Sequence, residues 1–337
     1  WEKSRFYIYA FCAEENSDFR TLSRNDKTQC LVDGSVDNDG SKMGKKARLN
    51  SDRASYLLWD GGSNVFYERE EQTRPFLFFG FYIDDIVVPE SNIIRTESAV
   101  KLRNIRIDGR QDIMSSVAQL TEEQKKLVED MNEKELVMNS LYSAYSTRLG
   151  IYPVLSFHHE LARVKFKIFP AKSDADHIYV QNITMESKVN ADFTVAAKDK
   201  EAMGLDFSEY TETIPMRLCE TDGGALKQDY YVAPLLPGEE SITDPYSRTG
   251  VFVGESLLVA PNLGKYKMTV DLKQNINGVT KTYTTEYELE TAFKAGYAYT
   301  VRVAINGLDD LDFNVQVDGW RDGGNIEINP GDEWTNE

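Results

Sequence analysis

Apolar residues along this chain recur mostly with a period of two, the spacing of a strand face rather than of a helix stripe. The clearest case is Lys265–Leu289. Tyr266, Met268, Val270 and Leu272 alternate on one arm, and Tyr283, Thr285, Tyr287 and Leu289 on the other. Asn277-Gly278 stands between them, so the segment predicts a hairpin. Phe6–Phe11 and Pro75–Ile83 are apolar at both parities and predict strands buried on both faces, with Gly80 permitting a bulge or a close approach. Further strands are expected over Cys30–Val32, Ser55–Trp59, Ser98–Ile107, His177–Met185, Asp192–Ala196, Asp229–Ala233, Glu255–Val259, Tyr297–Ile305 and Phe313–Val317. Tyr297–Ile305 reads as half-buried antiparallel sheet. The rest of residues 14–46 reads as loop.

Val154–Phe169 carries a fault in this pattern. Leu155, Phe157 and Leu161 share one parity, whereas Ala162, Val164, Phe166 and Ile168 share the other. The apolar face therefore changes over at Leu161–Ala162, either through a bulge or because the chain leaves one core and enters another. The second case predicts two β domains joined here. A helix interrupts the β pattern near 121–145. Thr121 with Gln124 forms a capping box, Glu122 and Glu123 fill the first turn, and Leu127, Val128 and Met131 follow at helical spacing, with further turns around Leu136–Tyr142. Short strands with Gly, Pro, Asn and Asp turns point to an all-β sandwich class.

A chain of 337 residues suits two domains. Its net charge of −17 repels phosphate backbones, so nucleic acid is not an expected partner. No apolar run approaches the about 18 residues of a membrane-crossing helix. The chain starts at Trp1 with no Met or signal segment and reads as processed or trimmed. Cys12 and Cys30 can form a bridge that leaves Cys219 over, or all three can be isolated thiols; the spacing does not choose.

Candidate chemistry is thin. His158 and His159 are adjacent and so face opposite ways on a strand, and with Glu160 and His177 they make no metal motif. Asp37-Asn38-Asp39 and Asp309-Asp310-Leu311-Asp312 start like calcium loops but lack the Gly and Glu that an EF-hand needs. No nucleophile elbow, phosphate loop or dinucleotide fingerprint occurs. Catalytic, metal and cofactor sites are therefore expected to be none. Trp59, Tyr230, Tyr231 and Trp320 are the aromatics that could make a sugar platform, and core packing is their plainer role.

Three segments resemble the fimbrillin-like family. Phe157-His158-His159-Glu160-Leu161-Ala162-Arg163-Val164-Lys165-Phe166 is similar to its F-x-H-x-L-A-[RK]-[VIL]-x-[FV] strand, and Asp108-Gly109-Arg110-Gln111-Asp112-Ile113-Met114 to the segment before it. Phe293-Lys294-Ala295-Gly296-Tyr297-Ala298-Tyr299, with Val301, Val303 and then Trp320, resembles the family's ending. The resemblance implies two transthyretin-like β-sandwich domains in tandem, which we place at 1–170 (with the helical insertion) and 171–337. It implies a surface lipoprotein of the outer membrane, anchored by a lipidated Cys upstream of Trp1, acting as a stalk, tip or anchor subunit of a fimbrium without catalysis. Partners would be other pilin subunits in a homo- or hetero-polymer, and host or bacterial surface glycans or proteins. In related pilins an arginine-specific protease removes the first strand and a partner's terminal strand fills the groove. Here Arg5 and Arg20 are the nearest basic residues, and Phe6–Phe11 and Phe313–Ile328 are the candidate exchanging segments. A surface carbohydrate-binding module is the alternative.

Overall fold

The computed structural model describes residues 5–37, 42–50, 57–61, 65–172, 177–219, 226, 230–232, 235–309, 311–318 and 325–327. In chain order the strands begin with β1 (Phe6–Cys12), β2 (Cys30–Val32), β3 (Lys45–Leu49), β4 (Leu57–Trp59), β5 (Phe76–Ile83), β6 (Ile93–Arg95), β7 (Ala99–Arg106) and β8 (Ile113–Gln119). Helices α1 (Glu122–Glu129), α2 (Lys134–Asn139) and α3 (Ala144–Arg148) follow. Then come β9 (Val154–Ser156), β10 (His158–His159), β11 (Ala162–Pro170), β12 (Ile178–Lys188), β13 (Asn190–Ala197), β14 (Gly204–Asp206), β15 (Thr213–Arg217) and β16 (Tyr230–Tyr231). The last are β17 (Val251–Val259), β18 (Tyr266–Ile276), β19 (Val279–Leu289), β20 (Ala298–Ile305), β21 (Leu311–Asp318) and β22 (Asn325–Glu327).

These strands form four sheets. A nine-stranded sheet runs β22-β9-β8-β5-β1-β3-β4, with β10 beside β8 and β2 beside β1. The others run β17-β11-β20-β21, β15-β12-β18-β19 (with β16 on β12) and β14-β13-β7-β6. The fold is all-β with a helical insertion, as the strand periodicity requires.

The two-parity apolar runs occupy the middle of the large sheet. β1 pairs with β5 from Phe6↔Tyr82 to Cys12↔Phe76, and with β3 and β2 on its other side. Phe6, Ile8, Ala10, Cys12, Phe76 and Phe78 face a core closed by Val128, Val137 and Tyr142 of the helical insertion. Tyr9, Phe11, Phe79 and Phe81 face a second core shared with the remaining sheets. That second core contains residues on both sides of position 170, and the β7–β13 pair joins strands from the two sides.

The helix start is as the sequence predicts: the Thr121 hydroxyl accepts from the Gln124 amide at 3.1 Å while the Gln124 side chain accepts from Thr121 N. The expected hairpin is β18–β19, in unbroken register down to Ile276↔Val279. Asn277 (φ 51) and Gly278 (φ 78) are both left-handed, as a tight turn of this type requires. One expectation is corrected. β20 is not half-buried antiparallel sheet: it lies parallel to β11 and antiparallel to β21, with Ala298–Val301 and Val303–Ile305 buried. Tyr299, Val301, Val303 and Ile305 face the shared core, and on the other face only Arg302, packed against Tyr246, is partly exposed.

Candidate functional site

The fault at Leu161–Ala162 is a change of sheet. β9 and β10 pair with β8 in the large sheet, and β11, which starts three residues after His159, pairs with β17 and β20 in another. Phe157 fills the space over Gly80, where an added Cβ would lie 2.7 Å from both Phe157 Cζ and Leu155 Cδ1, so the glycine serves a close approach. His159 is buried and its Nδ1 lies 2.8 Å from Asp112 Oδ1, which orients the ring. His158 points the other way, to solvent.

Glu160 binds the turn to three neighbours. Its amide donates to Ile113 O (2.9 Å), its carboxylate accepts from the Ser115 hydroxyl, and it accepts from Leu205 N (3.3 Å) of β14. Burial pushes this carboxyl above its ordinary value, against the pull of Ser115, the Leu205 N–H and the nearby His158. On the far side, Leu161 O accepts from Gly296 N (3.0 Å), Arg163 N donates to Tyr297 O (3.0 Å), and Arg163 Nε donates to Ser256 Oγ (2.9 Å). Gly109, left-handed at φ 96, accepts from Leu258 N at 2.7 Å. Phe293 sits between Tyr266 and Tyr299, each ring centroid 4.6 Å away. The three motif segments thus converge on one joint between sheets.

The candidate exchanging strands have opposite environments. β1 is central and its residues other than Tyr7 are buried. β21 is an edge, with alternating exposure. The loop after β1 is latched by groups that the periodicity did not reveal. Phe19 stacks on Phe11 at 4.0 Å. Arg95 donates to Phe19 O (2.7 Å), Thr21 O (2.8 Å) and the buried Asp33 carboxylate (2.8 Å), which also accepts from Ser23 and Ser35. Burial raises the Asp33 carboxyl, but these hydrogen bonds and the Arg95 charge outweigh it and hold the group below the ordinary carboxylate range. No pattern in the sequence marks Asp33 and Arg95 as partners.

A family model described as fimbrillin-like matches residues 152–320, half of the chain. The chain belongs to the fimbrillin-like family. Two of the three motif segments fall in the matched region, and the third pairs with them at the joint. Membership supports a fimbrial or adhesive role at the cell surface. The fimbrillin-like chain also aligns with a solved structure from Bacteroides eggerthii described as a "putative cell adhesion protein". That alignment covers 96% of this chain and 90% of that one, at 10% identity and a TM-score of 0.43. No curated protein matches the chain.

The remaining described candidates in this fimbrillin-like protein sit on separate strands and loops. Asp37 pairs with the buried Lys45 at 2.6 Å, and Asn38, Asp39 and Asp310 lie outside the described residues. His177 stands exposed at the start of β12. Among the described residues no group of three or more His, Cys, Asp or Glu is placed to hold a metal. Among the described residues no disulfide joins Cys12, Cys30 and Cys219, and burial pushes the Cys30 thiol well up. Trp59 lies in the large sheet beneath Lys45, while Tyr231 packs on Tyr179 in another sheet; Trp320 is outside the described residues.

Proposed function

We propose that this chain is a structural or adhesive subunit of cell-surface fimbriae that joins other subunits by strand addition and catalyses no reaction. The observation that carries this reading is family membership, with the family segments meeting at a packed joint between sheets. In the same reading the segments 1–170 and 171–337 are two transthyretin-like sandwich domains, and a lipidated Cys preceding these residues anchors the protein in the outer membrane. Trp59 lies in a different sheet from Tyr230 and Tyr231, so these three described aromatics do not make one sugar platform.

The geometry says what strand addition would need. A cut after Arg5 leaves β1 in place; a cut after Arg20 releases it. Arg20 is exposed and ion-paired with Asp18 (2.7 Å) and Glu97 (2.8 Å), while Arg5 pairs with Asp60. Loss of β1 opens the sheet between β5 and β3, uncovering backbone groups and apolar surface on both faces. An entering strand must therefore be apolar at both parities. Phe6–Phe11 meets that requirement. β21 meets it only with Phe313, Val315 and Val317, since Asp312, Asn314, Gln316 and Asp318 occupy its other parity.

The test is to treat the intact chain with an arginine-specific protease and examine the products by electron microscopy. Fibres or detergent-resistant ladders should form after cleavage at Arg20 and be absent in Arg20→Gln. Monomers that persist after complete cleavage would reject strand addition, and selective binding on a glycan array by those monomers would favour the carbohydrate-binding reading.

A further inference from the structure

Sheet edges in soluble proteins are normally blunted by short length, proline, bulges or charge, because an open edge templates pairing with another chain. Most of the described edges here follow that rule. β4, β6, β14 and β22 are three residues long, and β15 contains Pro215. β17 has a register shift opposite Val164–Phe166 and a left-handed Gly254. β21 carries Asp312 and Asp318 near its two ends. β19 differs in its length and regularity, with charge at Lys281, Glu286 and Glu288 as its one blunting feature. It runs for 11 residues without Pro, Gly or bulge, in unbroken register with β18, and among the described residues nothing pairs with its outer side. Val279, Tyr283 and Tyr287 on it are exposed.

We propose that β19 pairs with β19 of a second copy of this chain, antiparallel, about a two-fold axis at Thr284. The sequence of the strand selects that arrangement. Centred on Thr284, the antiparallel pair sets Thr282 opposite Glu286, Thr280 opposite Glu288, Lys281 opposite Tyr287 and Tyr283 opposite Thr285. No like charges face each other, and the lysine meets an aromatic ring. A parallel in-register pair would set Lys281, Glu286 and Glu288 each against its own copy, which is unfavourable. A perpendicular two-fold keeps the same face of each sheet on the same side, so Tyr283, Thr285 and Tyr287, which share one face of β19, form a continuous row across the dimer. This pairing is lateral, needs no proteolysis and is independent of strand addition.

Sedimentation velocity on the intact, uncleaved chain tests it, over about 1–300 µM, the range in which a modest interface is populated. The parent should convert from monomer to dimer with concentration. Thr282→Glu keeps a partner in its own chain, because position 282 lies opposite Lys273. Across the axis it meets Glu286 twice, and the dimer should weaken about tenfold. Adding Glu286→Lys should restore it. Melting curves that match the parent will show that each variant is folded. A parent that stays monomeric at every concentration overturns the proposal, as does a Thr282→Glu chain that dimerises like the parent. A weakened dimer that Glu286→Lys fails to rescue rejects the antiparallel register.

Discussion

Arg95→Met tests whether the loop carrying Arg20 is held by the buried Arg95–Asp33 pair. The guanidinium makes charge-assisted bonds to Asp33, Phe19 O and Thr21 O, and lies 5.1 Å from the centroid of the Phe11 ring. Methionine keeps the stem's packing but leaves the Asp33 carboxylate buried with only neutral donors. Breaking a buried pair in this way costs about 3–5 kcal/mol. Equilibrium urea denaturation of the parent, Arg95→Met, Asp33→Asn and the double variant completes a cycle, and a coupling of about 2 kcal/mol is expected because the double variant buries no lone charge. The acid limb should change as well. Asp33 is held below its ordinary value, so its contribution is present above the unfolded pKa and lost as pH falls through the folded one. Arg95→Met should therefore lose less stability on acidification than the parent. If the latch opens in rapid pre-equilibrium, cleavage at Arg20 should quicken on the order of 100-fold. A loss below about 1 kcal/mol, an additive cycle or unchanged cleavage at Arg20 would refute the reasoning.

Two further outcomes follow from the joint. Glu160→Gln removes a buried carboxyl whose pKa is raised by burial, so the parent loses stability as pH rises from the unfolded value through the folded one, and the variant does not. The stability difference between the two should shift towards the variant from pH 4 to pH 7 in thermal melts; a difference that does not move with pH rejects the assignment. Gly80→Val should cost about 1–3 kcal/mol by chemical denaturation, because its side chain meets the fully buried Leu155 and Phe157 with no room to retreat. A variant as stable as the parent would show that this contact is slack.

Much of the strand pattern was legible because burial imposes parity. The changeover at Leu161–Ala162, the Asn277-Gly278 hairpin and the two-faced strands β1 and β5 all follow from alternation alone. β8 was not legible as a strand: Ser115 and Ser116 interrupt its apolar run, and both are buried because Ser115 serves Glu160 and Ser116 pairs with Gly80 under Phe157. Helix α3 hides behind a capping box of two serines, Ser143 and Ser146, in a stretch with little apolar period. The parallel β11–β20 pairing joins residues about 135 positions apart, beyond any local signal. The Asp33–Arg95 pair escaped for the same reason, since a single charge in each of two ordinary stretches carries no period.

The family segments at the joint read as mechanics rather than chemistry. Phe157 plugs Gly80, His159 is fixed by Asp112, Glu160 reaches β8 and β14, and Leu161 and Arg163 bond the backbone just ahead of β20. Each contact ties a strand of the large sheet to one beyond it. In the sheet order the strand proposed to leave, β1, is separated from β9 and β10 by β5 and β8, and it touches the joint through Phe6, whose ring centroid lies 4.9 Å from that of Phe157. Its departure would remove the middle of the large sheet and the Phe6–Phe157 contact, while the hydrogen bonds of Glu160 and the β7–β13 pairing lie on other strands. A subunit that opened one groove while its other sheets stayed assembled would have to keep the contacts that lie beyond β1, which here are those of Glu160, the sheet change at Leu161–Ala162 and the β7–β13 pair.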